Sequence, residues 1–114
     1  MPVVRIEGSR IVDWDSFHSV FAEALGFPGF YGRNMDAWID CMSYIDDPSA
    51  GMTTVTIPEG GVLTVQLDHA GQFERQCPEA FAALIDATAF VNWRRVEGGE
   101  EGVVALSFWR DAPI

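Results

Sequence analysis

Three β-rich runs, separated by long stretches of helical periodicity, constrain the fold of this chain more than any other feature. The runs cover residues 3–7, 62–67 and 103–109, and the last is largely apolar, as in a strand buried on both faces. Strands that alternate with helices usually pair in parallel, and the right-handed crossover rule places the helices on one side. The sequence therefore predicts an α/β fold with a small, largely parallel sheet and flanking helices.

Polar caps and glycines mark the first two helices. We expect Asp13 or Asp15 to cap a helix that runs to about Leu25, with Gly26 following as a C-cap glycine. After a loop punctuated by glycine and proline, Asn34 is the expected N-cap of a second helix. Its apolar residues recur at helical spacing and form one stripe, which comprises Met35, Trp38, Ile39 and Met42.

The second half of the chain begins with a turn-rich break at residues 46–51. Apolar and polar residues alternate in segment 52–57, which is rich in Thr and Val. We therefore expect an extra strand or a hairpin within residues 52–67. Beyond it, Asp68 is the expected cap of a short helix through Cys77. Pro78 suits the first position of an Ala-rich helix that reaches about Trp93.

The composition is strongly acidic, with 17 Asp and Glu against 7 basic residues and a net charge of -10. This charge disfavours nucleic acid and anionic membranes as direct partners, and it favours a basic partner. No basic segment precedes an apolar run at the N-terminus, and Cys41 and Cys77 lack metal or redox spacing. We therefore expect one cytoplasmic domain, residues 1–114, that is monomeric when free and needs no cofactor.

Asp36 and Asp40 are four residues apart, so they share one side of the second helix without a Lys or Arg at helical spacing. One interpretation is a catalytic pair, although no nearby pattern indicates the desolvated pocket that would raise one pKa. A second is a divalent-metal site completed by Asp46 or Asp47, although no calcium-loop pattern is present.

Two further interpretations concern the cysteines and the loop. Both cysteines are distant in sequence from His18 and His69, and no nucleophile elbow is present, so the sequence does not favour nucleophilic catalysis. The other interpretation is a binding face, in which an aromatic loop leads into the acidic helix. The aromatic residues of that loop are Phe27, Phe30 and Tyr31.

Residues 30–41, with the sequence FYGRNMDAWIDC, resemble the signature of the barstar family, intracellular inhibitors of a secreted bacterial ribonuclease. The family pattern there is aromatic-Tyr-Gly-x-Asn-Leu-Asp-Ala-x-x-Asp-Cys. The resemblance implies a three-stranded parallel sheet with flanking helices and a non-enzymatic inhibitor. In the family, the loop and second helix plug the enzyme's active site. We therefore expect this chain to bind and occlude a basic ribonuclease or a related nuclease toxin.

The resemblance also implies which residues face the partner, with Asp40 as the main phosphate mimic. They are Phe30, Gly32, Asn34, Asp36, Ile39 and Asp40, with Asp86 on the later helix. The chain departs from the best-known family member, which has Trp where Ile39 and Ile45 stand. Trp38 lies one position earlier and is expected on a different side of the helix, and residues 46–61 look like an insertion. A small hydrolase, a metal-binding protein and a barstar-like domain with a non-nuclease partner remain alternatives.

Overall fold

The computed structural model describes residues 2–110, so Met1 and residues 111–114 of the predicted domain 1–114 lie outside the described residues. Strands and helices alternate along this part of the chain. In order, they are β1 (Val3–Glu7), α1 (Trp14–Leu25), α2 (Met35–Ser43), β2 (Leu63–Asp68), α3 (Ala70–Gln76), α4 (Pro78–Glu97) and β3 (Val104–Phe108). Two short 3-10 turns, Gly8–Arg10 and Pro48–Ala50, lie in the connections.

The sheet has three strands in the order β1-β2-β3, and both neighbouring pairs are parallel. Val65 of the central strand lies opposite Val4 on one side and Leu106 on the other. β2 buries its alternate residues Leu63 and Val65, together with Leu67, in the core. The predicted α/β fold with a three-stranded parallel sheet is therefore confirmed.

The cap of α1 is Asp13. Its carboxylate accepts a hydrogen bond from the Ser16 backbone N–H at 2.8 Å, and Ser16 Oγ accepts one from the Asp13 N–H at 3.0 Å. The helix ends at Gly26, whose φ of 66° lies in the left-handed region. A Cβ at Gly26 would lie 1.8 Å from Thr54 Oγ1, so both conformation and space require glycine there.

Residues 52–57 do not form the predicted extra strand or hairpin, and β2 is the strand of segment 52–67. The backbone N–H of Thr54 donates to Leu25 O at 3.0 Å, and that of Ile57 donates to Ile45 O at 3.0 Å. Leu25 O belongs to the last turn of α1 and Ile45 O lies just past the end of α2, where no helical donor remains for them. The segment therefore ties the ends of two helices together, and the side chain of Ile57 is buried beneath it.

The predicted cap of the short helix α3 was also wrong. His69, not Asp68, occupies the cap position, with a φ of 54° and no side-chain cap hydrogen bond. The Asp68 carboxylate instead accepts hydrogen bonds from Arg5 Nη1 at 3.2 Å. His69 Nδ1 lies 2.8 Å from the Glu7 carboxylate, and this hydrogen bond raises the pKa of His69.

The last turn of α4 extends past Trp93 to Glu97 and joins α4 to the end of α2. Arg95 Nη2 lies 2.7 Å from the Asp46 carboxylate, and Arg95 Nη1 donates to Ser43 O at 3.0 Å. The side chains of Arg95 and Asp46 are only 10% and 13% exposed. The guanidinium also lies at the carbonyl end of α2, where a cation is favourable.

We expect Arg95→Met to lower the free energy of unfolding by about 2–4 kcal/mol, because it leaves the Asp46 carboxylate nearly buried and unpaired. Urea denaturation of both proteins measures the change. Arg94→Met is the control, since Arg94 pairs with no carboxylate of residues 2–110. Equal stability of the two variants would show that the Arg95–Asp46 pair does not hold α2 to α4.

Candidate partner-binding face

The loop between α1 and α2 is held against α1 by a hydrogen bond between Tyr31 and the buried His18. Tyr31 Oη lies 2.6 Å from His18 Nδ1, and the Tyr31 ring lies 4.7 Å from the Phe27 ring. Burial raises the pKa of Tyr31, so its hydroxyl keeps its proton. Burial, followed by the charge of Arg33, lowers the pKa of His18. The neutral imidazole therefore accepts a hydrogen bond that the Tyr31 hydroxyl donates.

Arg33, the cation of this loop, points back to α1. Its Nη2 lies 2.7 Å from Asp15 Oδ1, 2.8 Å from Asp15 O and 3.0 Å from Ser19 Oγ. The φ of Arg33 is 54°, an uncommon value for a residue with a side chain. The Arg33 charge is therefore neutralised on α1.

Asn34 caps α2, as the sequence predicts. Its Oδ1 accepts a hydrogen bond from the Ala37 N–H at 2.8 Å, and its Nδ2 lies 3.4 Å from Gly32 O. A Cβ at Gly32 would lie 3.3 Å from Asn34 Nδ2, so the glycine leaves room for this amide. Gly32 and Asn34 are both exposed at the start of the helix.

Asp36 and Asp40 are exposed on the outer side of α2. Within residues 2–110, neither carboxylate has a hydrogen-bond or ion-pair partner. Ile39 between them is half-buried and packs against the core. Phe30, in the preceding loop, is 76% exposed. We define the α2 face as these predicted residues of the loop and α2, which are exposed or half-buried: Phe30, Gly32, Asn34, Asp36, Ile39 and Asp40.

Trp38 lies on the opposite, core side of α2. It is fully buried and packs edge-on against Phe21 with ring centroids 5.8 Å apart. Its Nε1 has no hydrogen-bond partner in the part of the chain that the structure describes. Trp38 therefore anchors the helix from inside and leaves the outer side to the two carboxylates.

Asp86 is exposed in the middle of α4, apart from the α2 face in sequence and element. Sequence reasoning missed the groove between α2 and α4, which Asp40, Ser43, Tyr44 and Arg94 line in part. The groove depends on how α2 packs against α4, which the periodicity of either helix does not reveal.

The catalytic and metal-binding alternatives find no support at these residues. Asp46 is held by Arg95, and among residues 2–110 no group of three or more His, Cys, Asp or Glu is placed to hold a metal ion. Burial raises the pKa of the Cys41 thiol to about 11, so it is protonated and a poor nucleophile at neutral pH. Over the same range, no helix is long and apolar enough to cross a bilayer.

The sequence model of the family described as Barstar (barnase inhibitor) matches residues 1–106. The chain belongs to the barstar family. No curated protein matches it at a significant level.

The barstar signature of residues 30–41 divides into an inner and an outer set. Tyr31 and Cys41 face inward, where Tyr31 holds the loop on His18 and Cys41 is buried. Asp36 and Asp40 face outward without internal partners among the described residues. In this barstar-family chain, the inner residues therefore position the outer ones.

We expect the His18 imidazole to titrate below its ordinary pKa of 6.5, and that of His69 above it. A His18 pKa lowered in the folded state means that its contribution to stability is complete above pH 6.5 and is lost as the pH falls toward the folded pKa. The raised pKa of His69 has the opposite effect, so its contribution is lost as the pH rises through that pKa.

Ring C–H resonances followed by NMR across this pH range measure both midpoints. Glu7→Gln serves as the control, because it should lower the His69 midpoint and leave that of His18 in place. A His18 midpoint above 6.5 would contradict a buried, neutral imidazole at this position.

Proposed function

We propose that this chain is a non-enzymatic inhibitor that binds a basic ribonuclease, or a related nuclease toxin, and blocks its active site with Asp36 and Asp40. The observation that carries the proposal is the pair of exposed carboxylates with no partner within residues 2–110. Like charges one helical turn apart cost a few tenths of a kcal/mol. Stability alone therefore gives no reason to leave both of them unpaired.

A ribonuclease holds the phosphates of RNA with cations that stabilise charge developing during the reaction. The two carboxylates lie about 5–6 Å apart at their Cβ atoms by helical geometry, so each can pair with a cation of such a site. Asp40, one turn into α2, is the main phosphate mimic in this proposal. Asp36 adds a second charge nearer the start of the helix.

The aromatic and polar residues of the α2 face supply the rest of the contact. Phe30 is the most exposed large apolar side chain within residues 2–110, which suits an aromatic anchor that fills a pocket on the enzyme. Gly32 and Asn34 leave polar backbone and amide groups exposed beside it. Ile39 contributes a half-buried apolar edge, and Asp86 on α4 is proposed as an outlying acidic contact.

The scaffold beneath the face favours tight binding. The Asn34 cap, the Tyr31–His18 hydrogen bond and the ion pair of Arg33 hold the loop and helix before any partner arrives. Groups that are already ordered lose less conformational entropy when they bind. The net charge of -10 adds attraction to a basic enzyme, so we expect fast association in the cytoplasm that slows as salt is added.

We expect Asp40→Lys to weaken inhibition of barnase, used as the test enzyme, by about a hundredfold or more, because like charges facing each other across an interface cost several kcal/mol. Hydrolysis of an RNA substrate by barnase at increasing inhibitor concentration measures this. Glu79→Lys is the matched control, since it makes the same change of charge at an exposed site in the first turn of α4.

The proposal predicts that Glu79→Lys inhibits nearly as well as the unchanged chain. Undiminished inhibition by Asp40→Lys would remove Asp40 from the interface. Absence of inhibition by the unchanged chain would contradict the choice of a barnase-type enzyme as the target.

A further inference from the structure

An exposed aromatic patch lies near the end of α4 and consists of Phe90, Trp93 and Arg94; we name it the α4 patch. Phe90 is 42% exposed and Trp93 is 59% exposed. Their rings stack with centroids 6.1 Å apart and planes inclined by 24°, and the Arg94 guanidinium lies 5.4 Å above the Phe90 ring. Two large apolar rings thus lie side by side at the surface, with a cation over the Phe90 ring.

Arg94 differs in its pairing from most arginines of the chain. Within residues 2–110, carboxylate partners are seen for Arg5, Arg10, Arg33, Arg95 and Arg110. Arg94 pairs with no carboxylate in the described range, and its side chain donates instead to Ser43 Oγ at 2.7 Å. Its charge therefore stays available to a group outside the protein.

The α4 patch is continuous with the α2 face. Ser43 is the last residue of α2 and the hydrogen-bond partner of Arg94. Asp40 and Arg94 line the same groove between the two helices, with Tyr44 beside them. A partner seated on Asp40 is therefore brought up to Arg94, and through Arg94 to Phe90 and Trp93.

The net charge of the chain indicates whether the α4 patch binds a second copy of the chain or a basic protein. A second copy carries the same net charge of -10, so two copies repel each other as they approach. A basic protein is attracted by the same field. The occupant that the charge favours is therefore the basic partner of the α2 face.

We propose that the α4 patch is a second contact for that ribonuclease. The patch binds an apolar side chain and a carboxylate of the enzyme, both located beside the enzyme's cationic site. This inference rests on the function proposed above. Aromatic residues and arginine are the types that carry most of the binding energy at interfaces. Arg94 attracts a carboxylate and repels a cation, so the patch selects among basic ribonucleases by what lies beside their active sites.

Binding to barnase, followed by surface plasmon resonance, tests the patch. We expect Trp93→Ser and Phe90→Ser each to raise the Kd about tenfold or more, mainly through faster dissociation. Trp109→Ser is the matched control, because Trp109 is also an exposed tryptophan, with 66% of its surface accessible. Its neighbour Arg110 contacts Phe81 near the start of α4, whereas the α4 patch lies near the end of that helix. The control should change the Kd by less than about twofold.

A second variant, Arg94→Glu, tests the carboxylate. The added negative charge alone would strengthen attraction to a basic partner. We nevertheless expect weaker binding, because the new carboxylate of the variant would face the proposed carboxylate of the enzyme. Tighter binding of Arg94→Glu would overturn the assignment of a carboxylate opposite Arg94. Because all three side chains are exposed at the surface, thermal unfolding should stay close to that of the unchanged chain.

The outcomes separate the patch from the proposed function. If Asp40→Lys abolishes binding and the Trp93 and Phe90 variants bind normally, the patch lies outside the interface and this inference is overturned alone. If Asp40→Lys binds normally, Asp40 lies outside the interface, and if the unchanged chain does not bind barnase, a barnase-type target is contradicted. Either result removes the contact from which the patch is reached, so the inference is overturned together with that part of the proposed function. A dimer seen by sedimentation and dissolved by Trp93→Ser would assign the patch to a second copy and overturn the inference.

Discussion

The ion pair between Arg33 and Asp15 determines the charge of the α2 face. Arg33 directly precedes the N-cap of α2, so it is the arginine nearest in sequence to Asp36 and Asp40. Its left-handed backbone turns the side chain toward α1, where Asp15 and Ser19 take up the guanidinium. Because this cation is satisfied on α1, both carboxylates of α2 stay available for an outside partner. The inhibition that we propose depends on that availability.

The rest of the scaffold keeps those carboxylates in place. The N-terminal end of α2 is held by the Asn34 cap, its inner side by the buried Trp38, and its C-terminal end by Arg95 and Asp46. The nearly buried Arg95–Asp46 pair is costly to desolvate, so it is weak evidence of net stability, but its geometry fixes where α2 ends. The same helix junction places Arg94 and Asp40 in one groove, which is why the α4 patch adjoins the acidic face.

Local signals predicted most of the fold. Asp13, Gly26, Asn34 and Pro78 act through short-range backbone chemistry, and each ends or begins a helix as expected. Residues 52–57 misled because alternating Thr and Val look the same in a strand and in an extended segment bonded to helix ends. Asp68 misled because Arg5, 63 residues away in sequence, takes its carboxylate. The residues of the α4 patch are at helical spacing within one helix, but their position beside α2 depends on how α2 packs against α4, which periodicity does not reveal.

The central claim is that carboxylates of α2 occupy the place of RNA phosphates, and competition tests it most directly. Barnase can be saturated with a non-hydrolysable dinucleotide and titrated with this chain by calorimetry. The account predicts mutually exclusive binding, so the apparent Kd of the chain rises in proportion to the dinucleotide concentration. A ternary complex that forms with unchanged affinity would place the chain away from the phosphate site and contradict the account.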